Sequence, residues 1–209
     1  MFPKRACTGL ALAACALLLA CSCSTSSGGT KASGGAAATD APAKLFDTDF
    51  KGVCSGATVS RARAYDKAQA AGHKVVYFAT VTDDVVDSST SLPTDWAVQF
   101  DANADTFAAT DLVACAVRTG DTYVKDCSGY TVDDKPTQNI AKLHAATYTL
   151  TVHEATTGNT LGTTDLAASD DTCPMFISFQ GDNDTVDYYD PPSTDQVVAF
   201  IKPFAQPGS

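Results

Sequence analysis

The chain has 209 residues, with 14 Lys and Arg against 24 Asp and Glu, for a formal net charge of −10. Such a surface repels phosphates, which excludes nucleic acid and anionic lipid headgroups as partners. Glu154 is the only glutamate, and Asp favours turns and caps where Glu favours helix interiors, so the acid usage itself predicts strands joined by short turns.

Lys4 and Arg5 precede a stretch from Ala6 to Ala20 that carries no charge. This is the charged and apolar pattern of an export signal. At about 15 residues the apolar run falls short of the ~20 a bilayer-spanning helix needs. Leu18, Leu19 and Ala20 then lead into Cys21. This resembles the lipobox of bacterial lipoproteins, which implies that residues 1–20 are removed and that the Cys21 thiol is acylated to anchor the chain on the extracytoplasmic face of the cell membrane. Cys15, after "LAA", and Cys23, after "ACS", are the alternative acceptors. Residues 21–43, which include "SCSTSSGGTKASGGAAATDAPA", hold no aromatic or large aliphatic side chain and bury too little to offset ordering, so they read as a tether. As a Gly/Ser-type coil it reaches roughly 25 Å.

Residues 44–209 have the length of one domain. "KVVYFATV" (74–81) is a β-branched, aromatic run of strand length, and "WAVQF" (96–100) reads as another. "DLVACAVR" and "TYVKDC" flank Thr119-Gly120-Asp121, which predicts a hairpin. In "HAATYTLTVHEA" (144–155) Ala146, Tyr148, Leu150 and Val152 share one face, opposite Thr147, Thr149, Thr151 and His153. That alternation predicts a half-buried antiparallel strand, which "TTGN" turns into "TLGTTDLA". "MFISF" (175–179) predicts a buried strand. Helix is expected at "RARAYDKAQAA" (61–71) and at "TDQVVAFIKPF", capped by Ser193 or Thr194 and stopped by Pro203. About seven strands with close turn signals predict a mainly β fold, an antiparallel two-sheet sandwich with one or two short helices, one of them near the C-terminus.

Four cysteines fall in this domain: Cys54, Cys115, Cys127 and Cys173. An even number without a CxxC pair, in an exported chain, reads as two disulfides. If residues 120–122 close a hairpin, Cys115 faces Cys127 across it, which leaves Cys54 with Cys173. The segments "GVCSGATVSRARAYDKAQAAGHKVVYF", "LVACAVRTGDTYVKDCSGY" and "ATYTLTVHEATTGNTLGTTDL" resemble a recurring uncharacterised module of exported actinobacterial proteins and lipoproteins. The resemblance covers most of residues 50–180. It implies one domain with two disulfides and brings no activity with it.

The sequence contains no GxSxG, HExxH or glycine-rich phosphate loop, and no cofactor is implied. His73 reads as a turn residue, His153 as a solvent-facing strand residue, and His144 as the opening residue of its strand. Asp101, Asn103 and Asp105 start like a calcium loop, but Thr106 stands in place of the required Gly and Leu112 in place of the closing Glu, so no metal site is assigned. "GDNDTVDYYDPP" (181–192) gathers carboxylates, an amide and two tyrosines. Asp182, Asn183, Asp184, Asp187, Tyr188 and Tyr189 are therefore the candidate binding residues, with Tyr188 expected to face outward beside Val186. The sequence-level reading is a membrane-anchored, non-catalytic module that binds an envelope protein or glycan. A cell-wall hydrolase with an Asp/His site and an exclusion or immunity lipoprotein are the alternatives.

Overall fold

Two long strands organise the molecule. β3 (Leu112–Cys127) and β6 (Ile140–Glu154) run antiparallel along their whole length. In this computed structural model, residues 43–70 and 72–208 are described, so the expected export signal, Cys15, Cys21, Cys23 and the expected tether up to residue 42 lie outside the described residues. Around the central pair lie β1 (Val75–Val81), β2 (Asp84–Asp87), β7 (Thr160–Ala168) and β8 (Thr185–Tyr189), in the order β2-β1-β3-β6-β7, with β8 also on β6. β4 (Thr131–Val132) and β5 (Lys135–Pro136) form a separate two-stranded ribbon, turned by Asp133 and Asp134 with φ of 49° and 60°. The helices are α1 (Asp47–Lys51) and α2 (Thr194–Ala205).

The fold is mainly β, as expected, but it is one mixed six-stranded sheet beside a ribbon. β1 is parallel to β3 (Val75 opposite Leu112), and β8 is parallel to β6 (Ile140 opposite Thr185). The segments that a second sheet would have used are irregular. Residues 96–100 touch β1 through one bridge, Val75 to Ala97, while Trp96 and Ala97 are buried as loop residues. Residues 175–179 form no strand, and Met175 and Phe176 are 83% and 90% exposed. Ile177 and Phe179 do turn inward, onto Cys127 and Leu143. The alternation is present, but β8 occupies the edge of β6 that those residues would need.

β6 buries Ala146, Tyr148, Leu150 and Val152, as its alternation predicts. They meet Leu112, Ala114 and Ala116 of β3 and Val197, Ile201 and Ala205 of α2. Ser193 caps α2: its Oγ accepts from the Gln196 N–H at 3.3 Å, and Gln196 Oε1 accepts from the Ser193 N–H at 3.2 Å. The helix runs two residues past Pro203, because Phe204 and Ala205 are held by packing on β7 and the core. A Cβ on Gly162 of β7 would meet Phe204 Cζ at 2.6 Å, so glycine there lets the helix sit close. On the other face of the sheet, Phe50, Val53, Val76, Phe78, Phe107, Val113 and Cys115 form a second core.

The predicted hairpin at residues 119–121 is absent. β3 passes straight through it, with bulges between Arg118 and Gly120 and between Tyr123 and Lys125, because β6 offers a partner along the whole length. Gly120 serves close approach instead of a turn: a Cβ there would meet Thr147 Oγ1 at 3.1 Å.

The disulfide pairing changes with it. Cys115 and Cys127 stand 12 residues apart on one strand, some 40 Å at about 3.3 Å per residue, and cannot bond. Cys54 bonds Cys115 and Cys127 bonds Cys173, each with Cα atoms 5.7 Å apart. The expected pairs Cys115–Cys127 and Cys54–Cys173 are thus corrected. Sequence separations of 61 and 46 give about 4 kcal/mol each in the chain-entropy description.

Residues 61–71 contain no helix among those described. The segment lacks an apolar stripe that a helix would bury, and its side chains are recruited elsewhere. Arg63 Nε and Nη2 donate to Asp111 Oδ2 at 3.1 and 2.7 Å, and His73 Nδ1 lies 2.6 Å from the same oxygen. The Lys74 N–H donates to Asp111 Oδ1 at 2.9 Å, and Tyr65 packs on the His73 ring. His73 and Asp111 are each 1% exposed, so the predicted turn histidine is a core residue.

Candidate functional site

Beyond the N-terminus of α2, the even-numbered face of β6 continues as a polar, aromatic surface. His144 has the same parity as Tyr148, so it lies on the side of the sheet that α2 covers further along. Register then sets its neighbours. Tyr123 of β3 and Tyr189 of β8 stand opposite His144 on either side, Arg118 stands opposite Tyr148, and Asp121 opposite Ala146.

The contacts follow from that placement. His144 Nε2 is 2.9 Å from Asp187 Oδ1, and Nδ1 is 3.7 Å from Asp121 Oδ1. The Tyr189 ring lies 4.9 Å from the imidazole, and Tyr123 meets it edge-on at 5.9 Å. The Arg118 guanidinium carbon sits 3.3 Å above the Tyr189 ring centre, and its Nη2 donates to Asp83 Oδ1 at 3.0 Å. Nη1 of Arg118 is buried and has no hydrogen-bond partner. Tyr123 Oη donates to Asp126 Oδ1 at 3.0 Å, and Tyr148 Oη donates to the Asp190 carbonyl at 3.0 Å.

Electrostatics keep these phenols neutral. Burial pushes Tyr148 up to about 12 and also raises Tyr189, against the downward pull of Arg118 on each. The hydrogen bond to Asp126 raises Tyr123. His144 Nε2 is engaged by Asp187, whereas Nδ1, 3.7 Å from Asp121 Oδ1, is buried without a hydrogen-bond partner. The arrangement offers flat aromatic faces, carboxylate acceptors, and two buried nitrogens without a partner, Arg118 Nη1 and His144 Nδ1.

The candidate binding residues divide. Asp187 and Tyr189 belong to this cluster. Val186 and Tyr188 share a face as expected, but that face packs on Leu143 and Cys127, so Tyr188 is not the outward tyrosine. Asp184 holds the turn: its carboxylate accepts from the Gln180 and Thr185 N–H groups, and its own N–H donates to Asn139 Oδ1. Asp182 and Asn183 are exposed, and the Asp182 carbonyl accepts from Gln138. Arg118, Asp121, Tyr123 and His144 were missed. The signal for His144 was its parity with Tyr148; the others were hidden by the hairpin reading.

Elsewhere, a shallow cavity of about 580 Å³ opens between residues 129–132 and 175–179, and no carboxylate, histidine or cation lines it. Among the described residues no cluster of three or more His, Cys, Asp or Glu is arranged to hold a metal ion, and no helix is long and apolar enough to cross a membrane. Asp101 accepts from the Asn103 N–H within its own turn, and Asp105 accepts from the Leu45 N–H of the segment before α1. Comparison with protein-family models, with curated proteins and with solved structures yields no match.

Proposed function

We propose that the protein is an exported lipoprotein, acylated at Cys21, whose domain is a non-catalytic module binding an envelope protein or glycan through the Arg118–His144–Tyr189 surface. Export is supported by the use of all four domain cysteines in disulfides, which persist in oxidising compartments. The binding reading is carried by Arg118. A buried donor without a partner costs about 1–3 kcal/mol, and an acceptor from a ligand removes that cost. Asp83, Asp121 and Asp187 repel anions from the same place, so the acceptor is a neutral carbonyl or hydroxyl, which peptides and glycans both offer.

The test has two arms on the full chain in its own cells. Palmitate labelling should be lost in Cys21→Ala, with unprocessed precursor accumulating; labelling that persists there refutes the anchor. A photo-crosslinking residue at position 123 should capture an envelope component from the membrane fraction, and Arg118→Ala should reduce capture about tenfold. Capture that is absent, or equal in the variant, refutes the binding surface.

A further inference from the structure

The free edge of β3 lies beside this surface. β1 pairs with β3 only as far as Ala116, and the last contact is the Arg118 N–H donating to Thr80 Oγ1 at 3.2 Å. From Thr119 to Asp126 every residue is exposed, and β6 is the only strand that pairs with this stretch among the described residues. Backbone groups on the side away from β6 thus stand open over half of the longest strand. Such an edge is a template for another strand.

The charges around it decide what it accepts. Asp121, Tyr123 and Asp126 lie on the His144 side of this stretch, and Asp83 sits where β1 turns away. Arg118 is already paired with Asp83; Asp121, beside His144, and Asp126, which accepts from Tyr123, are the acidic side chains on this face, with Lys142 opposite Asp126 on β6 and Lys125 on the opposite side. A second copy of the chain would bring the same carboxylates and the same net charge of −10, and the two bulges twist the edge away from a flat self-pairing. A segment with alternating Lys or Arg brings cations to those carboxylates every second residue while its backbone pairs with the open edge.

We infer that the open edge of β3, residues 119–126, is a strand-addition site for an extended basic polypeptide segment, held by backbone hydrogen bonds and selected by Asp121 and Asp126. The inference names the partner class of the surface proposed above and rests on that reading.

The experiment uses the full-length protein in detergent with an acetylated, amidated peptide of alternating Lys and Val. Residue-resolved hydrogen exchange should show open-edge amides within 119–126 exchanging freely, then slowing at least about tenfold when the peptide is added. The alternating Glu and Val peptide, and a Lys and Val peptide N-methylated at every second residue, should give no protection. Asp121→Asn with Asp126→Asn should weaken binding about tenfold. Protection by the Glu peptide, or by the N-methylated one, overturns the inference, as does no protection by any peptide. Protection already present before addition also overturns it: concentration-dependent protection assigns the edge to a second copy, and concentration-independent protection assigns it to a segment of the same chain. If the peptide arm fails while position 123 still captures an envelope component in an Arg118-dependent way, the binding surface stands and strand addition alone falls.

Discussion

Arg118 on β3 and Tyr189 on β8 are on strands that do not pair with each other, yet the guanidinium carbon lies 3.3 Å above the tyrosine ring centre. The contact crosses β6 and joins the two strands that flank it. A cation over an aromatic face is worth about 0.5–2 kcal/mol depending on desolvation. Tyr189→Phe keeps that face and should be nearly neutral, whereas Tyr189→Ala should lower stability by about 1–2 kcal/mol. In a double-mutant cycle with Arg118→Met the coupling should be at least about 0.5 kcal/mol. Coupling indistinguishable from zero in denaturation measurements contradicts the stacking.

Peptide mapping without reduction should recover Cys54 linked to Cys115 and Cys127 linked to Cys173. Replacing either pair by alanine should cost about 2–5 kcal/mol. The Cys54/Cys115 replacement should be the more damaging, because Cys115 lies inside the second core between Val113 and Phe78. A Cys115 to Cys127 peptide contradicts the continuous β3 strand.

Asp111 is held by Arg63, His73 and the Lys74 N–H while almost wholly buried. Asp111→Asn keeps its size but removes the charge that Arg63 faces and one carboxylate oxygen shared by Arg63 and His73. Removing a carboxylate that three donors share strands the buried His73 ring and the Lys74 N–H, while the partly exposed Arg63 can turn to water, so the cost is about 2–3 kcal/mol. Asp111→Asn should therefore lower the melting temperature far more than Asp101→Asn, whose carboxylate serves an exposed turn. Equal effects contradict the structural role.

Alkaline pH should weaken the fold through its buried phenols. Tyr148 ionises near 10 when unfolded and near 12 when folded, and burial raises Tyr77 as well. The unfolded chain then releases its protons first. The stabilisation is therefore complete below pH 10 and is lost between pH 10 and about 12. Denaturation midpoints across that window should fall in the parent and fall less steeply in Tyr148→Phe. Identical slopes in the two proteins contradict the assignment.

What was legible in the sequence is what local pattern controls. The alternation from Ala146 to Val152, the β-branched run at 75–81, the turn at 156–159 and the cap at Ser193 each depend on residues within a few positions, and each is found in the structure. The inward tyrosine was misjudged because parity says which residues share a face but not which face is covered. Tyr188 and Val186 do share one, and Leu143 and Cys127 lie against it.

The sequence alone determined a mainly β domain, four cysteines in disulfides and a C-terminal helix, since strand alternation, cysteine usage and capping are local properties. Tertiary structure decided the rest. Whether Thr119-Gly120-Asp121 turns or continues depends on the length of β6, which lies further along the chain and supplies a partner through Cys127. That one outcome separates Cys115 from Cys127, sends them to Cys54 and Cys173, and carries Arg118, Asp121 and Tyr123 to His144. Strand pairing is a contact between distant segments, and a turn signal is overridden when the ladder hydrogen bonds of a longer strand outweigh it.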